Sequence, residues 1–97
     1  MQRRRIRYTT IAQTELINIG RWLSRVASER VARRFTSRIR AAIQKLEFAS
    51  ERGSIRDEKH GLRVIGLLPT VTITFTVEED TVTIHRILHN GQDWSAD

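Results

Sequence analysis

The sequence predicts an α+β fold with the element order β-α-α-β-β-β, in which an N-terminal strand and a helical hairpin pack on one face of a small, largely antiparallel sheet. Apolar residues recur at helical spacing through residues 11–26 and again through 28–46, which predicts two amphipathic helices. Residues 71–77 alternate between apolar residues and threonine, and residues 81–88 are rich in β-branched side chains, which predicts a strand hairpin. We expect one domain with one modest core over residues 1–97.

A short first strand is predicted over Arg4 to Tyr8. Ile6 and Tyr8 would face inward and Arg3, Arg5 and Arg7 outward, where charged side chains protect a sheet edge from mispairing or, as the alternative, form a nucleic-acid-binding arm. Thr10 to Gln13 fit a capping box in which the Thr10 hydroxyl accepts a free backbone N–H and Gln13 reaches back. The first helix is therefore expected from about Ile11 to Val26.

An apolar stripe runs along each predicted helix. Ser28 can cap the second helix, and Glu29 lies favourably near its positive N-terminal end. The stripe of the first helix, widened by Trp22, consists of Ala12, Leu16, Ile19, Leu23 and Val26. That of the second consists of Val31, Ala32, Phe35, Ile39, Ala42, Ile43 and Leu46. Two such helices joined by a tight break predict an αα-hairpin.

The segment after the second helix, residues 50–60, is expected to be a polar connection, with Gly53 terminating the helical part. Gly61 to Ile65 is predicted as the next strand and Gly66 to Thr70 as its turn, since Pro69 cannot serve in a central strand. The strand hairpin follows, reversed by the acidic turn at residues 78–80.

A β-bulge is expected in the last strand. Strict alternation from Val82 and Ile84 would send Arg86 into the core, whereas Ile87 also requires burial. An extra residue near His85 and Arg86 would resolve this conflict, and bulges often lie beside functional sites.

Charge is unevenly distributed along the chain, whose net charge is +6. Residues 1–46 contain twelve basic residues against two acidic ones, and residues 47–97 contain five against nine. Fifteen of the seventeen basic residues are arginine, which favours bidentate pairing with carboxylate or phosphate. Such a field attracts an anionic partner, which could be a nucleic acid or an acidic protein.

The outer face of the second helix is crowded with basic residues. Arg30, Arg34 and Arg38 follow one another at i, i+4, where like charges cost roughly 0.2–0.5 kcal/mol per pair. This face is either simply solvated or a docking surface for an acidic segment that relieves the repulsion. Its members are Arg30, Arg33, Arg34, Arg38, Arg40 and Lys45.

Several classes of site find no support in the sequence. The absence of Cys excludes disulfides and thiolate metal sites and suits the reducing cytoplasm, where we expect the protein. No apolar segment follows the basic N-terminus and none approaches the ~18 residues of a membrane span, so we expect neither a signal peptide nor membrane contact. His60, His85 and His89 have no recognisable metal spacing, and no cofactor motif occurs, so no metal or cofactor is expected.

The ordered set of apolar stripes, the segment ERGSIRDEKHGLR and the ending ITFTVEEDTVTIHRILHNGQDW together resemble the ParE toxins of the ParE/RelE superfamily of bacterial toxin–antitoxin systems. The most specific part is GLR at residues 61–63, followed by a strand hairpin and the pattern R-I-L-H-x-x-x-D-W at residues 86–94. Ser50 is a departure, since such sequences often have proline there.

The resemblance implies the β-α-α-β-β-β fold and a cognate antitoxin, ParD-like or another small DNA-binding protein, through which alone operator DNA would be bound. ParE toxins stabilise the cleaved-DNA intermediate of DNA gyrase and so block replication, and they serve in plasmid stabilisation. On this interpretation the target surface consists of Arg63, Arg86, His89, Asp93 and Trp94, and antitoxin binding involves Trp22, Arg34 and Arg38.

The alternative that the resemblance leaves open is a RelE-like enzyme that cuts mRNA on the ribosome. Arg63 and Arg86 would then neutralise phosphate, and His85 or His89 would act as the base. RelE-like enzymes usually keep a Tyr near the C-terminus, where this chain has Asp93 and Trp94. They also often use a lysine-rich loop before the second strand, which in this chain is reduced to Lys59. The catalytic set is therefore incomplete.

Each candidate also has a purely structural interpretation. Arg86 could pair with Asp93 or Glu78 across the sheet, an interaction worth roughly 0–1 kcal/mol at a surface. His85 could be an ordinary exposed strand residue, and Trp94 could seal the end of the core.

Overall fold

The structure is a computed structural model, and it describes residues 3–51, 54–57 and 61–89. The helices are α1 (Thr10–Val26) and α2 (Glu29–Gln44), followed by a short 3-10 turn at Lys45–Glu47. The strands are β1 (Arg5–Tyr8), β2 (Ser54–Asp57), β3 (Leu62–Leu68), β4 (Val71–Val77) and β5 (Thr81–His89).

The strands form one sheet in the order β1-β5-β4-β3-β2. β1 runs parallel to β5, and every other neighbouring pair is antiparallel. The predicted α+β fold, with a strand, two helices and then three long strands, is confirmed. β2 is an addition: residues 54–57 pair with β3 at the sheet edge, so the expectation of a plain connection there was wrong. Gly53 lies outside the described residues.

Thr9, rather than Thr10, is the N-cap of α1. Its Oγ1 accepts a hydrogen bond from the backbone N–H of Ala12 at 3.1 Å and donates one to the carbonyl of His85 at 3.0 Å. The predicted capping residue was wrong by one position, because strand-like pairing continues through Thr9, whose N–H donates to the carbonyl of Ile84. Ser28 caps α2 as predicted, accepting from the N–H of Val31 at 3.1 Å.

The core lies between the helical hairpin and one face of the sheet. Each fully buried aliphatic or aromatic side chain in it contributes roughly 1.5–3 kcal/mol. The predicted stripes supply most of the helical contribution, but Val26 and Val31 are 60% and 42% exposed, and Trp22 is 39% exposed, so the ends of both stripes leave the core. The central buried cluster contains Ala12, Leu16, Ile19, Ile39, Ile43, Leu46, Val71, Ile73, Phe75, Val82, Ile84 and Ile87.

The predicted β-bulge is confirmed in β5. Thr74 on β4 pairs with Arg86, and the next residue, Phe75, pairs with Ile84, so His85 is the extra residue. Because of this insertion, Ile84 and Ile87 are both almost completely buried, at 0% and 1% exposure. The bulge thereby allows Ile84 and Ile87 to face the core although the polar residues His85 and Arg86 lie between them.

β1 covers only the first part of β5, from Thr81 to Ile84. Beyond that point α1, which packs on β5, supplies an acceptor to the strand through Glu15. The candidate site develops at this change of neighbour. Among the helices of residues 3–51, 54–57 and 61–89, none is long and apolar enough to cross a membrane.

Candidate functional site at the end of strand β5

Glu15 of α1 binds β5 through both of its carboxylate oxygens, one of which accepts from the Arg86 side chain and the other from the backbone of Ile87. The Nε and Nη2 groups of Arg86 donate to Oε2 at 3.0 and 2.8 Å, and the backbone N–H of Ile87 donates to Oε1 at 2.8 Å. The side chains of Arg86 and Glu15 are only 25% and 18% exposed. Charge-assisted hydrogen bonds of this length are about twice as strong as neutral ones.

The end of β1 explains why a carboxylate stands here. Within the described part of the chain, β1 pairs with β5 only as far as Ile84, so no strand carbonyl there faces the N–H of Ile87, and Glu15 supplies the acceptor. The sequence-based alternatives for Arg86 missed this partner: Glu78 follows the distant end of β4, and Asp93 lies outside the described residues.

Glu15 could have been found from helical spacing. It lies at i+3 from Ala12 and i−4 from Ile19, which places a carboxylate on the buried face of α1. A charge in an apolar stripe requires a partner from the packed element, because an unpaired buried charge is strongly unfavourable. The arginine of β5 provides that partner.

His89, at the end of β5, contacts an aromatic ring from each helix. Its ring centroid lies 5.3 Å from that of Trp22 and 5.5 Å from that of Phe35, both in edge-to-face orientation. Burial lowers the pKa of His89 below its ordinary value, which favours the neutral imidazole. The structure thus joins Trp22, expected to bind the antitoxin, and His89, expected to bind the target, in one contact.

An open groove of about 280 Å³ lies between α1 and the end of β5. Its polar wall carries Glu15 and Asn18, and its aromatic end carries Trp22 and His89. The described residues that line it are Glu15, Asn18, Ile19, Trp22, Ile87 and His89. It joins the Glu15–Arg86 pair to the aromatic contact.

His85 occupies the bulge and is not an exposed strand residue as the simpler interpretation held. It is half-buried, its Nε2 lies 2.9 Å from the hydroxyl of Thr76, and its carbonyl accepts a hydrogen bond from Thr9. Burial lowers the pKa of the ring, opposed by the carboxylate of Glu78. His85 therefore favours its neutral form and is tied to both β4 and the start of α1.

Arg63 lies apart from this groove. It is opposite Phe75 in the sheet, whereas His89 is opposite Val71, four residues away along β4, or roughly 13 Å at the rise of a strand. Arg63 and Arg86 flank β4 at nearly the same level, two strand spacings or roughly 10 Å apart. Of the predicted target surface, Arg86 and His89 adjoin the groove, and Asp93 and Trp94 lie outside the described residues.

Arg34 and Arg38 are exposed on α2, as expected for a docking surface. They share a helical face with Val31 and Phe35, since these positions follow the i, i+3, i+4, i+7 pattern. Phe35 contacts His89, so this basic and apolar face continues into the aromatic contact. Within α2, Arg33 forms an ion pair with Glu29 at 3.9 Å. Among the described residues, no acidic side chain forms such a pair with Arg34 or Arg38.

Proton-transfer groups and cations do not converge on one point in residues 3–51, 54–57 and 61–89. His85 and His89 are four strand residues apart, roughly 13 Å, and Arg86 is held by Glu15. Tyr8 packs against the core, and burial raises the pKa of its hydroxyl against the opposing effect of Arg40. The same ranges contain no cluster of three or more His, Asp or Glu side chains suited to a metal ion.

Comparison with known proteins is consistent with this architecture. A family model described as the ParE toxin of the type II toxin–antitoxin system parDE matches residues 6–94. No curated protein matches the sequence at a significant level.

Similar solved structures include the chromosomal ParDE toxin–antitoxin system from P. aeruginosa, with a TM-score of 0.76 and 19% identity over 89% of this chain and 95% of that one. The RelBE2 toxin–antitoxin complex from Mycobacterium tuberculosis has a TM-score of 0.64 and 20% identity over 95% and 97%. The DinJ–YafQ toxin–antitoxin complex from E. coli has a TM-score of 0.58 and 8% identity over 90% and 92%. At these identities the likeness demonstrates a shared fold.

Proposed function

This chain belongs to the ParE toxin family of type II toxin–antitoxin systems, and on that premise we propose that it inhibits DNA gyrase, so that replication stops unless an antitoxin neutralises it. The observation that carries the proposal is the Glu15–Arg86 pair. The arginine best placed to neutralise a phosphate is already bound by a carboxylate of its own chain. A macromolecular inhibitor needs no group that moves protons, whereas a ribonuclease does.

The proposed target surface is Arg63, Arg86, His89, Asp93 and Trp94. Arg86 and His89 are supported by their places beside the groove at the end of β5. Arg63 would be a separate contact across the sheet, since it lies at the level of Phe75 rather than at that of Val71. Tryptophan and arginine are the residue types that most often dominate binding energy at interfaces.

The proposed antitoxin surface is Trp22, Arg34 and Arg38. Exposed arginines beside Val31 and Phe35 suit a segment that combines acidic and apolar side chains. Similar folds occur in toxin–antitoxin complexes, which supports a partner of this kind, ParD-like or another small DNA-binding protein. Because Trp22 contacts His89, an antitoxin seated on Trp22 would also cover part of the target surface and neutralise the toxin by competition.

Plasmid supercoiling by purified gyrase tests the proposed target. Increasing amounts of the protein should reduce supercoiling and trap cleaved DNA, and addition of antitoxin should reverse both effects. Arg86→Gln should weaken inhibition, whereas Arg7→Gln, a matched change at an exposed residue of β1, should not. Unimpeded supercoiling with no trapped DNA at any dose would refute the gyrase proposal.

Primer extension on translated mRNA tests the ribonuclease alternative. Codon-phased cuts that appear on induction and disappear in Arg86→Ala would establish the nuclease. Intact messages together with induction of the DNA-damage response would support gyrase.

A further inference from the structure

We propose that the Arg86 guanidinium and the Ile87 N–H form an anion-binding site whose ligand is the chain's own Glu15, and that Glu15 thereby excludes phosphate from Arg86. Glu15 thereby determines whether this surface binds protein or nucleic acid. The inference rests on the proposed function and deepens it, because it explains why the end of β5 would bind a protein without binding an RNA backbone.

The geometry is that of a complete anion site. Three N–H donors from two consecutive residues converge on one carboxylate at 2.8 to 3.0 Å, and they engage both of its oxygens. A guanidinium with an adjacent backbone N–H is equally suited to phosphate, because carboxylate and phosphate both present oxygen atoms to its donors. The donors could therefore bind either anion, and phosphate is kept out because Glu15 already fills the site.

The occupant is held in place by the fold. Glu15 lies between Ala12 and Ile19, which are 0% and 7% exposed, so its stretch of α1 is anchored in the core. Thr9 fixes the start of the same helix to the His85 carbonyl of β5. The carboxylate is consequently carried by a helix that is itself tied to the strand carrying its donors, and its effective concentration at the site is one that a dissolved anion does not match.

Electrostatics add to this exclusion. A phosphate approaching Arg86 would meet the negative charge of Glu15 at contact distance in a partly buried site, where like charges repel more strongly than in water. An incoming protein segment does not have this difficulty, since it can pack on Trp22 and His89 beside a pair that is already neutral. Glu15 thus turns a phosphate-binding group into a neutral part of a protein-binding groove.

The test is binding of a short fluorescein-labelled single-stranded RNA at fixed low salt, measured by anisotropy. Glu15→Gln removes the charge while keeping the shape, and it should bind RNA about tenfold more tightly than the unmodified protein. Glu15→Gln/Arg86→Gln should return to the starting affinity. Arg86→Gln alone should lower the affinity no more than Arg7→Gln, which removes the same charge at an exposed residue of β1, because Arg86 is not available to RNA while Glu15 holds it.

Glu29→Gln is the matched control. It raises the net charge by the same amount at an exposed carboxylate that also faces an arginine, Arg33, at 3.9 Å. A gain in Glu15→Gln no larger than the gain in Glu29→Gln would overturn the proposal, because net charge alone would then explain it.

Arg86→Gln in the otherwise unmodified chain decides the matter even where Glu15→Gln does not fold. If that single substitution weakens RNA binding more than Arg7→Gln does, Arg86 already contacts phosphate and Glu15 excludes nothing. Because gyrase is absent from these measurements, a failed gyrase assay leaves their outcome unaffected, and a failed RNA test leaves the gyrase proposal standing.

Discussion

The ring of His89 lies 5.3 Å from that of Trp22, so the last residue of β5 packs edge-to-face against the C-terminal part of α1. This contact joins the sheet, the first helix and, through Phe35, the second helix. A surface at such a junction depends on the position of all three elements. The proposed antitoxin and target surfaces therefore adjoin each other at the Trp22–His89 contact, and both depend on the packing of β5 against the two helices.

Trp22→Ala should weaken antitoxin binding by about 10- to 100-fold, because an exposed tryptophan beside a groove is a typical interface hot spot. Titration calorimetry with the purified antitoxin measures the change. Ile11→Ala is the control: Ile11 is a 58% exposed apolar residue of the same helix that does not line the groove. Equal losses in both variants would show that the groove has no special part in binding.

Reversing the charge of Arg34 and Arg38 should weaken antitoxin binding and flatten its dependence on salt. Both substitutions to Glu place negative charge where an acidic segment is expected. The toxin itself should be no less stable, because the change replaces the repulsion between Arg30 and position 34, worth roughly 0.2–0.5 kcal/mol, by an attraction and leaves positions 34 and 38 with like charges as before. Calorimetry at two salt concentrations, with Arg7→Glu on β1 as the control, tests the expectation, and unchanged affinity would contradict it.

Glu15→Ala should destabilise the fold by about 2 kcal/mol, because it removes three hydrogen bonds and leaves the N–H of Ile87 without its carboxylate acceptor. Urea unfolding at neutral pH provides the measurement. Glu29→Ala removes an exposed carboxylate and should change stability by no more than about 0.5 kcal/mol. Similar effects of the two changes would mean that the α1–β5 pair contributes little.

Stability should fall as pH is lowered below the unfolded-state histidine pKa of about 6.5. Burial lowers the pKa of both His85 and His89 in the folded protein, so the unfolded chain takes up protons first as pH falls. The stabilisation is complete above the unfolded value and is lost through the folded values. His89→Phe, which keeps an aromatic ring, should reduce the loss between neutral and mildly acidic pH in urea unfolding; an unchanged pH profile would contradict the assignment.

Deleting His85 should leave a folded protein destabilised by about 1–3 kcal/mol, because the deletion removes the hydrogen bond to Thr76 and the carbonyl that accepts from Thr9. His85→Ala should cost only about 0.5–1.5 kcal/mol for the hydrogen bond to Thr76. Removal of the extra residue keeps Ile84 opposite Phe75 and Arg86 opposite Thr74, so the core residues stay on the same face of the sheet. Circular dichroism and thermal melting measure both variants. An unfolded deletion variant would show that the fold requires the bulge itself.

The periodic elements of this fold could be predicted from sequence, because core-facing residues repeat at 2.0 or 3.6 positions wherever a strand or helix is half-buried. The bulge also followed from local pattern, since Ile84 and Ile87 could not both be buried without an inserted residue. Both conclusions required only the order of apolar and polar residues along one element.

The features that sequence analysis missed depend on where elements meet. Thr9 rather than Thr10 caps α1 because pairing with β5 extends one residue past β1, and β2 forms because β3 offers it an open edge. The partner of Arg86 is 71 residues away in sequence. Glu15 gave a signal through its place in the apolar stripe, but its partner could be identified only once α1 and β5 were positioned together.

The parallel pairing of β1 with β5 has a consequence for synthesis in the cell. Arg5 has no strand to join until Thr81 has been made, so the sheet closes only when most of the polypeptide is available. The pairing of β1 therefore waits until residues 81–84 have been made, and a product that stops before them would lack the strand that carries Arg86 and His89. The groove at the end of β5 consequently forms only in a molecule whose first and last described strands have met.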